Sequence, residues 1–218
     1  MTSRDTTLKH LTEEYRRIKP EIKKRLAEFR KIIKEDDEKV FSELCYCILT
    51  ANANAVLCNK AIEELQKAEL LLKGKARQIR PILKGKARFH NKKADYIVGA
   101  RNLFRRSGCL EIKKRLNADN IIETRDWLVD NIKGFGYKEA SHFLRNIGIG
   151  GGIAILDRHI LKNLNRYGVI NKIPDSVGNR QIYMDIESKM RIFSKKVRIP
   201  MEELDLLFWS IQTGFIFK

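Results

Sequence analysis

The sequence predicts an all-α protein, and three observations predict it. Apolar residues recur at intervals of three and four in almost every segment, as along one face of a helix. No segment alternates apolar and polar residues as a half-buried strand would. And two amphipathic stretches are joined by a four-residue turn, Lys133-Gly134-Phe135-Gly136, as in a helical hairpin.

Taken in order, Leu8, Leu11, Tyr15 and Ile18 space as one helical face. Pro20 suits the first turn of a second helix that turns Ile22, Leu26, Phe29 and Ile33 inward. The charged run from Lys34 to Lys39 reads as a hinge, either a solvated linker or a basic arm. Val40, Phe41, Leu44, Cys45, Ile48 and Leu49 make a broad apolar face, so that helix is mostly buried. Its end delivers Thr50-Ala51-Asn52-Ala53-Asn54, small residues around two asparagines. This is either a loop for close approach or an ordinary helix end.

Residues 72–77 and 83–88 both read LKGKAR, a short echo without further period. Pro81 is expected to break any helix here, leaving a basic loop from Lys73 to Lys93 suited to phosphates. Arg88 and Phe89 end it; Phe89 is either a wedge into a duplex or a core residue. Asn91 can cap a helix carrying Tyr96, Ile97, Ala100, Leu103 and Phe104 inward, closed by Ser107-Gly108. Asn117 to Asn120 form a turn before the first hairpin helix, with Trp127, Leu128 and Ile132. Beyond the hairpin, Ile160, Leu161 and Leu164 mark a helix closed by Gly168. Ile173 to Ser176 read as a loop and helix start, followed by Ile186, Met190 and Phe193 on one face. Pro200 opens the last helix, with Leu204, Leu207, Phe208 and Ile211 inward and Gly214 as its stop.

Composition narrows the class. The 218 residues are 43% apolar, enough for a real core. Basic residues outnumber acidic ones by 44 to 27, a net charge of +17 that favours a polyanionic partner, most often DNA or RNA. A generally Lys-rich soluble protein would share that charge. No apolar run reaches membrane-spanning length and Met1 leads into polar sequence, so a soluble, intracellular, cytoplasmic protein is expected. Cys45, Cys47 and Cys58 fall in apolar helical sequence and read as small buried thiols in a reducing compartment; with Cys109 they match no zinc spacing.

One constellation has an obvious chemical reading. Lys138 follows the glycine turn and Asp157 comes 19 residues later. The glycines allow a sharp reversal and let a phosphate approach the amides that open the second hairpin helix. An ordinary lysine, with a pKa near ~10.4, is neutral in fewer than about one molecule in a thousand at pH 7. A lysine nucleophile therefore needs surroundings that disfavour the ammonium. Lys138 lies in the first turn of its helix, where the positive end of the helix dipole does so. A surface lysine near a phosphate is the bland alternative. Asp157 precedes the next helix and can act as its N-cap, which would hold a carboxylate ionised and fixed in direction. His159 is either a packed helix residue or a phosphate contact.

The run Gly134-Phe135-Gly136-Tyr137-Lys138 with its spaced aspartate resembles the helix-hairpin-helix superfamily of DNA glycosylases. KGFGYKEASHFLRNIG followed by LDRHIL is most similar to archaeal-type 8-oxoguanine DNA glycosylase/lyases. CYCILTANAN, ARFHNKKADYIVGAR and ELDLLFWSIQTGFIFK extend the resemblance from about residue 25 to the end. It implies two helical lobes: residues 34–147, containing the hairpin turn 133–136, and residues 1–33 with 148–218. DNA would lie across the cleft between them. It implies Lys138 as nucleophile, Asp157 as the stabilising carboxylate, and no metal or other cofactor. The cysteines of the iron–sulfur relatives are missing, since none follows Cys109.

The resemblance also implies that a monomer binds double-stranded DNA containing 8-oxoguanine. Contacts would come from Lys133, Gly134, Phe135, Gly136 and His159, with Asn52 entering the gap left by the flipped base. Phe89 would wedge into the duplex and Arg88 would face the opposite base. 8-Oxoguanine carries a hydrogen on N7 where guanine has an acceptor, so its pocket needs an acceptor and a flat apolar surface. Asp205, Trp209 one turn on, and Lys218 at the chain end are the candidates, with core packing and a frayed end as the bland readings of Trp209 and Lys218. Two rival functions stay open: a glycosylase for an oxidised pyrimidine, and a DNA-binding module that cuts nothing.

Overall fold

Eleven helices form almost all of the regular structure among residues 3–218, which the computed structural model describes. They are α1 (Ser3–Ile32), α2 (Asp37–Thr50), α3 (Ala55–Lys67), α4 (Leu70–Lys73), α5 (Ala76–Leu83) and α6 (His90–Phe104). Then come α7 (Ile121–Asn131), α8 (Tyr137–Asn146), α9 (Arg158–Arg166), α10 (Arg180–Val197) and α11 (Met201–Thr213). Among the described residues no helix is long and apolar enough to cross a membrane. The polar start read at Met1 lies outside the described residues.

Buried apolar side chains gather in two clusters. One is built from α2 to α8 and centres on residues such as Leu44, Leu65, Ile97, Leu128 and Phe143. The other joins α1 to α9, α10 and α11 through Leu11, Ile22, Leu164, Met190 and Phe208. Helix α8 stands between them, giving Phe143 and Leu144 to the first and Tyr137 to the second. Just past it the backbone of Gly148, at φ +81°, lies against α1. A Cβ there would sit 2.3 Å from the Arg30 Cα, so only glycine allows this approach.

Several expectations need correction. Residues 8–33 do not form two helices: α1 runs through Pro20. Proline removes one hydrogen bond, but Leu11, Tyr15, Ile18, Ile22, Leu26 and Phe29 form one buried stripe along the whole length, and that burial outweighs one lost bond. Likewise Pro81 lies inside α5, so the basic segment is mostly helical rather than a loop. Ile79 and Leu83 bury one face of α5 against α6. The charged run at 34–39 is not only a linker: Asp36 caps α2, accepting from the Lys39 amide, and Asp37 accepts from the Lys113 amide. Helix α6 starts at His90 behind Phe89, which is in the left-handed region at φ +57°, so Asn91 is not its cap. Ser107-Gly108 is the turn of a two-stranded hairpin, Arg105–Arg106 with Cys109–Leu110, too short to show alternation in sequence. The helix expected to start near Ser176 begins at Arg180, capped by Asn179.

Pro20 is exposed and leaves the Arg16 carbonyl without its helical donor. Pro20→Ala is expected to stabilise the fold by about 1–3 kcal/mol, seen as a higher melting temperature by circular dichroism.

Candidate active site

The start of α8 is shaped by its turn. Gly134 takes φ +85°, and a Cβ on it would meet the Tyr96 ring at 2.5 Å. Gly136 occupies the N-cap position and has no side chain to cap with. Its own amide donates to Glu139 Oε2 at 3.1 Å. The first helical bond runs from the Ala140 amide to the Gly136 carbonyl. The amides of Tyr137, Lys138 and Glu139 therefore have no acceptor within the helix, a ready site for an anion.

Lys138 is half-buried, and its Nζ pairs with Glu139 Oε1 at 3.2 Å. Asp157 caps α9, as its position in the sequence suggested. Its Oδ1 accepts from the Ile160 amide at 2.8 Å, while Oδ2 makes no hydrogen bond among the described residues. Lys138 and Asp157 form no direct ion pair with each other. They line one cleft of about 840 Å³, together with Asn52, Arg88, Gly136 and His159. Asp205, Trp209 and Lys218 line the same cleft. Nine candidates from well-separated parts of the chain thus converge there.

The apolar tail is held rather than frayed. Lys218 Nζ pairs with Glu43 Oε1 at 2.9 Å and stands 4.5 Å above the Tyr46 ring. The Tyr46 hydroxyl donates to the Lys218 carbonyl at 3.2 Å. Trp209 is half-buried and meets the His159 ring edge-on, with centroids 5.0 Å apart. Its indole nitrogen and His159 Nδ1 are buried without partners. Asp205 is buried, with its carboxylate 3.6 Å from the Arg145 guanidinium. Burial pushes the Asp205 carboxyl up to about 6; Arg145 opposes that rise and the Asp157 charge adds to it.

Four candidates lie outside the cleft lining. Lys133 and Gly134 are exposed on the turn. Phe89 is 57% exposed, with the Arg88 guanidinium 4.9 Å from its ring centre. That removes the core reading of Phe89. Phe135 buries its side chain in the first cluster beside Phe143, and its amide donates to the Ile132 carbonyl. An aromatic inside the turn anchors the hairpin and leaves only its carbonyl for an outside partner. Asn52 is exposed in the left-handed region at φ +53°.

The sequence reading missed several residues. His142 and Arg145 lie four and seven residues after Lys138, spacings that put them on its helix face, and both line the cleft. Burial, together with the charges of Arg145 and Lys138, holds the His142 imidazole well below its ordinary pKa, so it stays neutral. Glu139 stood in the motif itself. Lys93 gave no signal, because a lysine on a basic segment reads as exposed. It is buried, and its Nζ donates to the Leu49 and Ala51 carbonyls at 2.7 and 2.6 Å, bracing the loop that carries Asn52.

Asp205 sets a pH dependence. Its folded pKa lies above the unfolded value, so its contribution to stability is complete below the unfolded pKa near 3.8 and is lost as pH rises through about 6. The melting-temperature difference, Asp205→Asn minus wild type, is expected to grow more positive from pH 4 to pH 7. A calorimetric pH series of both proteins measures it.

Residues 22–199 match the family model described as 8-oxoguanine DNA glycosylase. An 8-oxoguanine DNA glycosylase/AP lyase of Fusobacterium nucleatum is 42% identical over 206 residues, covering 94% of each chain. One from Methanocaldococcus jannaschii is 39% identical, over 92% of this chain and 93% of the relative. The crystal structure of the Methanocaldococcus jannaschii 8-oxoguanine glycosylase/lyase with a 15mer DNA containing 8-oxoguanine matches with a TM-score of 0.87. That match is 37% identical and covers 98% of this chain and all of the other.

Proposed function

The chain belongs to the 8-oxoguanine DNA glycosylase family, and we propose that it excises 8-oxoguanine from duplex DNA and nicks the strand, with Lys138 as nucleophile and Asp157 as the stabilising carboxylate. The observation that carries this reading is the common cleft. The amine at the start of α8 and the carboxylate that caps α9 face the same space. The relatives named above act as glycosylase and lyase, and one of them is bound to DNA containing 8-oxoguanine.

The two buried clusters would be the two lobes, with DNA across the cleft between them. The open amides of α8 would hold a phosphate, and the basic segment before α6 would hold others. Phe89, exposed beside Arg88, would enter the stack, with Asn52 approaching from the loop after α2. The damaged nucleotide flips into the cleft, where Trp209 offers a flat face. Asp205 or the tail near Lys218 offers an acceptor for the N7 hydrogen. It would act as a monomer wherever the cell keeps its DNA.

The chemistry then runs through one amine. Asp157 favours positive charge at C1′ as the glycosidic bond lengthens. Lys138 Nζ, its extra proton given up, bonds to C1′, and the base leaves with the bonding pair and takes up that proton. A nitrogen proton passes to the ring oxygen as the sugar ring opens and nitrogen and carbon form an iminium. Loss of a C2′ proton then expels the 3′ phosphate by β-elimination, and water hydrolyses the imine to release Lys138.

Lys138→Gln is expected to lower excision of 8-oxoguanine opposite cytosine by at least about a thousandfold, with duplex binding retained. Borohydride should trap the wild type on this duplex and not on one with undamaged guanine. Trapping on an oxidised pyrimidine alone would keep the mechanism and move the substrate. Binding without excision of any base would leave a DNA-binding module.

A further inference from the structure

We propose that Tyr183 and Glu187, one turn apart on α10, are positioning residues that hold Asp157 in register with Lys138; this rests on the catalytic reading above. The segment from Ile153 to Leu156 is buried and belongs to no helix or strand. Buried irregular backbone must find partners for its polar groups. Here α10 supplies them. The Ala154 amide donates to Glu187 Oε2 at 2.7 Å, and the Tyr183 hydroxyl donates to the Ala154 carbonyl at 2.7 Å. The Leu156 amide donates to the Tyr183 oxygen at 3.2 Å. The Asp157 amide turns back to the Ile155 carbonyl at 2.8 Å. The chain is fixed at alternate residues up to the carboxylate itself.

The other end of the network reaches the hairpin. Arg125 of α7 donates to both Glu187 oxygens, Nη1 at 2.7 Å and Nη2 at 3.1 Å. Its Nη1 also donates to Ser141 Oγ at 3.2 Å, and the Tyr183 oxygen lies 3.3 Å from the same hydroxyl. Ser141 is on α8, one turn after Lys138. A continuous set of buried hydrogen bonds therefore ties the helix of the amine to the irregular segment that carries the carboxylate. Arg125, Tyr183 and Glu187 do not line the cleft. They do not face the base, so any effect on the reaction passes through the groups that they hold, and the proposal is that this group is Asp157.

Tyr183→Phe tests this with the least disturbance, since the ring and its packing remain. Single-turnover excision should fall by about tenfold to a hundredfold, the cost of a small misplacement. Affinity for the 8-oxoguanine duplex, compared in the Lys138→Gln background, should stay within about twofold. With Asp157 already changed to Asn, adding Tyr183→Phe should cost less than about twofold, because the group it positions is gone. A wild-type rate for Tyr183→Phe, or an equal loss in both backgrounds, would overturn the positioning role alone. Full excision by Lys138→Gln would instead overturn the catalytic reading, whatever Tyr183→Phe did.

Discussion

The interaction on which the rest depends is the ion pair of Arg125 with Glu187, whose side chains are 0% and 3% exposed. Two charges taken out of water are costly, and only tight geometry with every remaining lone pair used offsets that. Glu187 uses one oxygen for Arg125 Nη1 and the Ala154 amide, and the other for Arg125 Nη2 and Arg191. Arg125 is also flanked by the Tyr137 and Tyr183 rings. An apolar pair of similar size could stabilise as well, but it would not specify where the 153–156 segment lies. Direction, more than net stability, is what such a pair supplies.

The cleft follows from that constraint. Its carboxylate is delivered by an irregular segment and its amine by a helix shared between the two cores. Asp157 is further fixed by α9, whose first-turn amide it accepts. Around the pair the charges are unevenly settled. Lys138 is held by Glu139, and Glu139 also holds the Gly136 amide, while the next three amides of α8 have no acceptor within the helix. Burial makes ionising Asp205 costly, and the Asp157 charge adds to that cost. The buried nitrogens of His159, Arg145 and Trp209 that have no partner among the described residues are a reserve of hydrogen-bonding capacity beside the cleft.

The helical class was legible because burial obeys the 3.6-residue period in α1, α9 and α10. The hairpin was legible from its glycines, and the Asp157 cap from its place before α9. Proline misled twice. Local chemistry at Pro20 and Pro81 says stop, while the apolar stripes on both sides continue, and tertiary burial decided. Phe135 and Phe89 show the other limit. Phe135 stands between two glycines and Phe89 between Arg88 and His90; one is buried and the other exposed, which packing across the chain decides. Lys93, Tyr183 and Glu187 stayed invisible because their partners are backbone groups tens of residues away. His142 and Arg145 were within reach, since Lys138 plus four and plus seven share its helix face.

The central claim is that one amine, Lys138 Nζ, becomes covalently joined to C1′ of the damaged nucleotide. The measurement that tests it most directly is peptide mapping of the borohydride-reduced protein–DNA adduct by mass spectrometry. The added mass should lie on Lys138, within the peptide that follows Gly136. Mass on Lys93 or on Lys218 would contradict the account, because Lys138 would then not be the nucleophile and the α10 network would be left without a catalytic purpose.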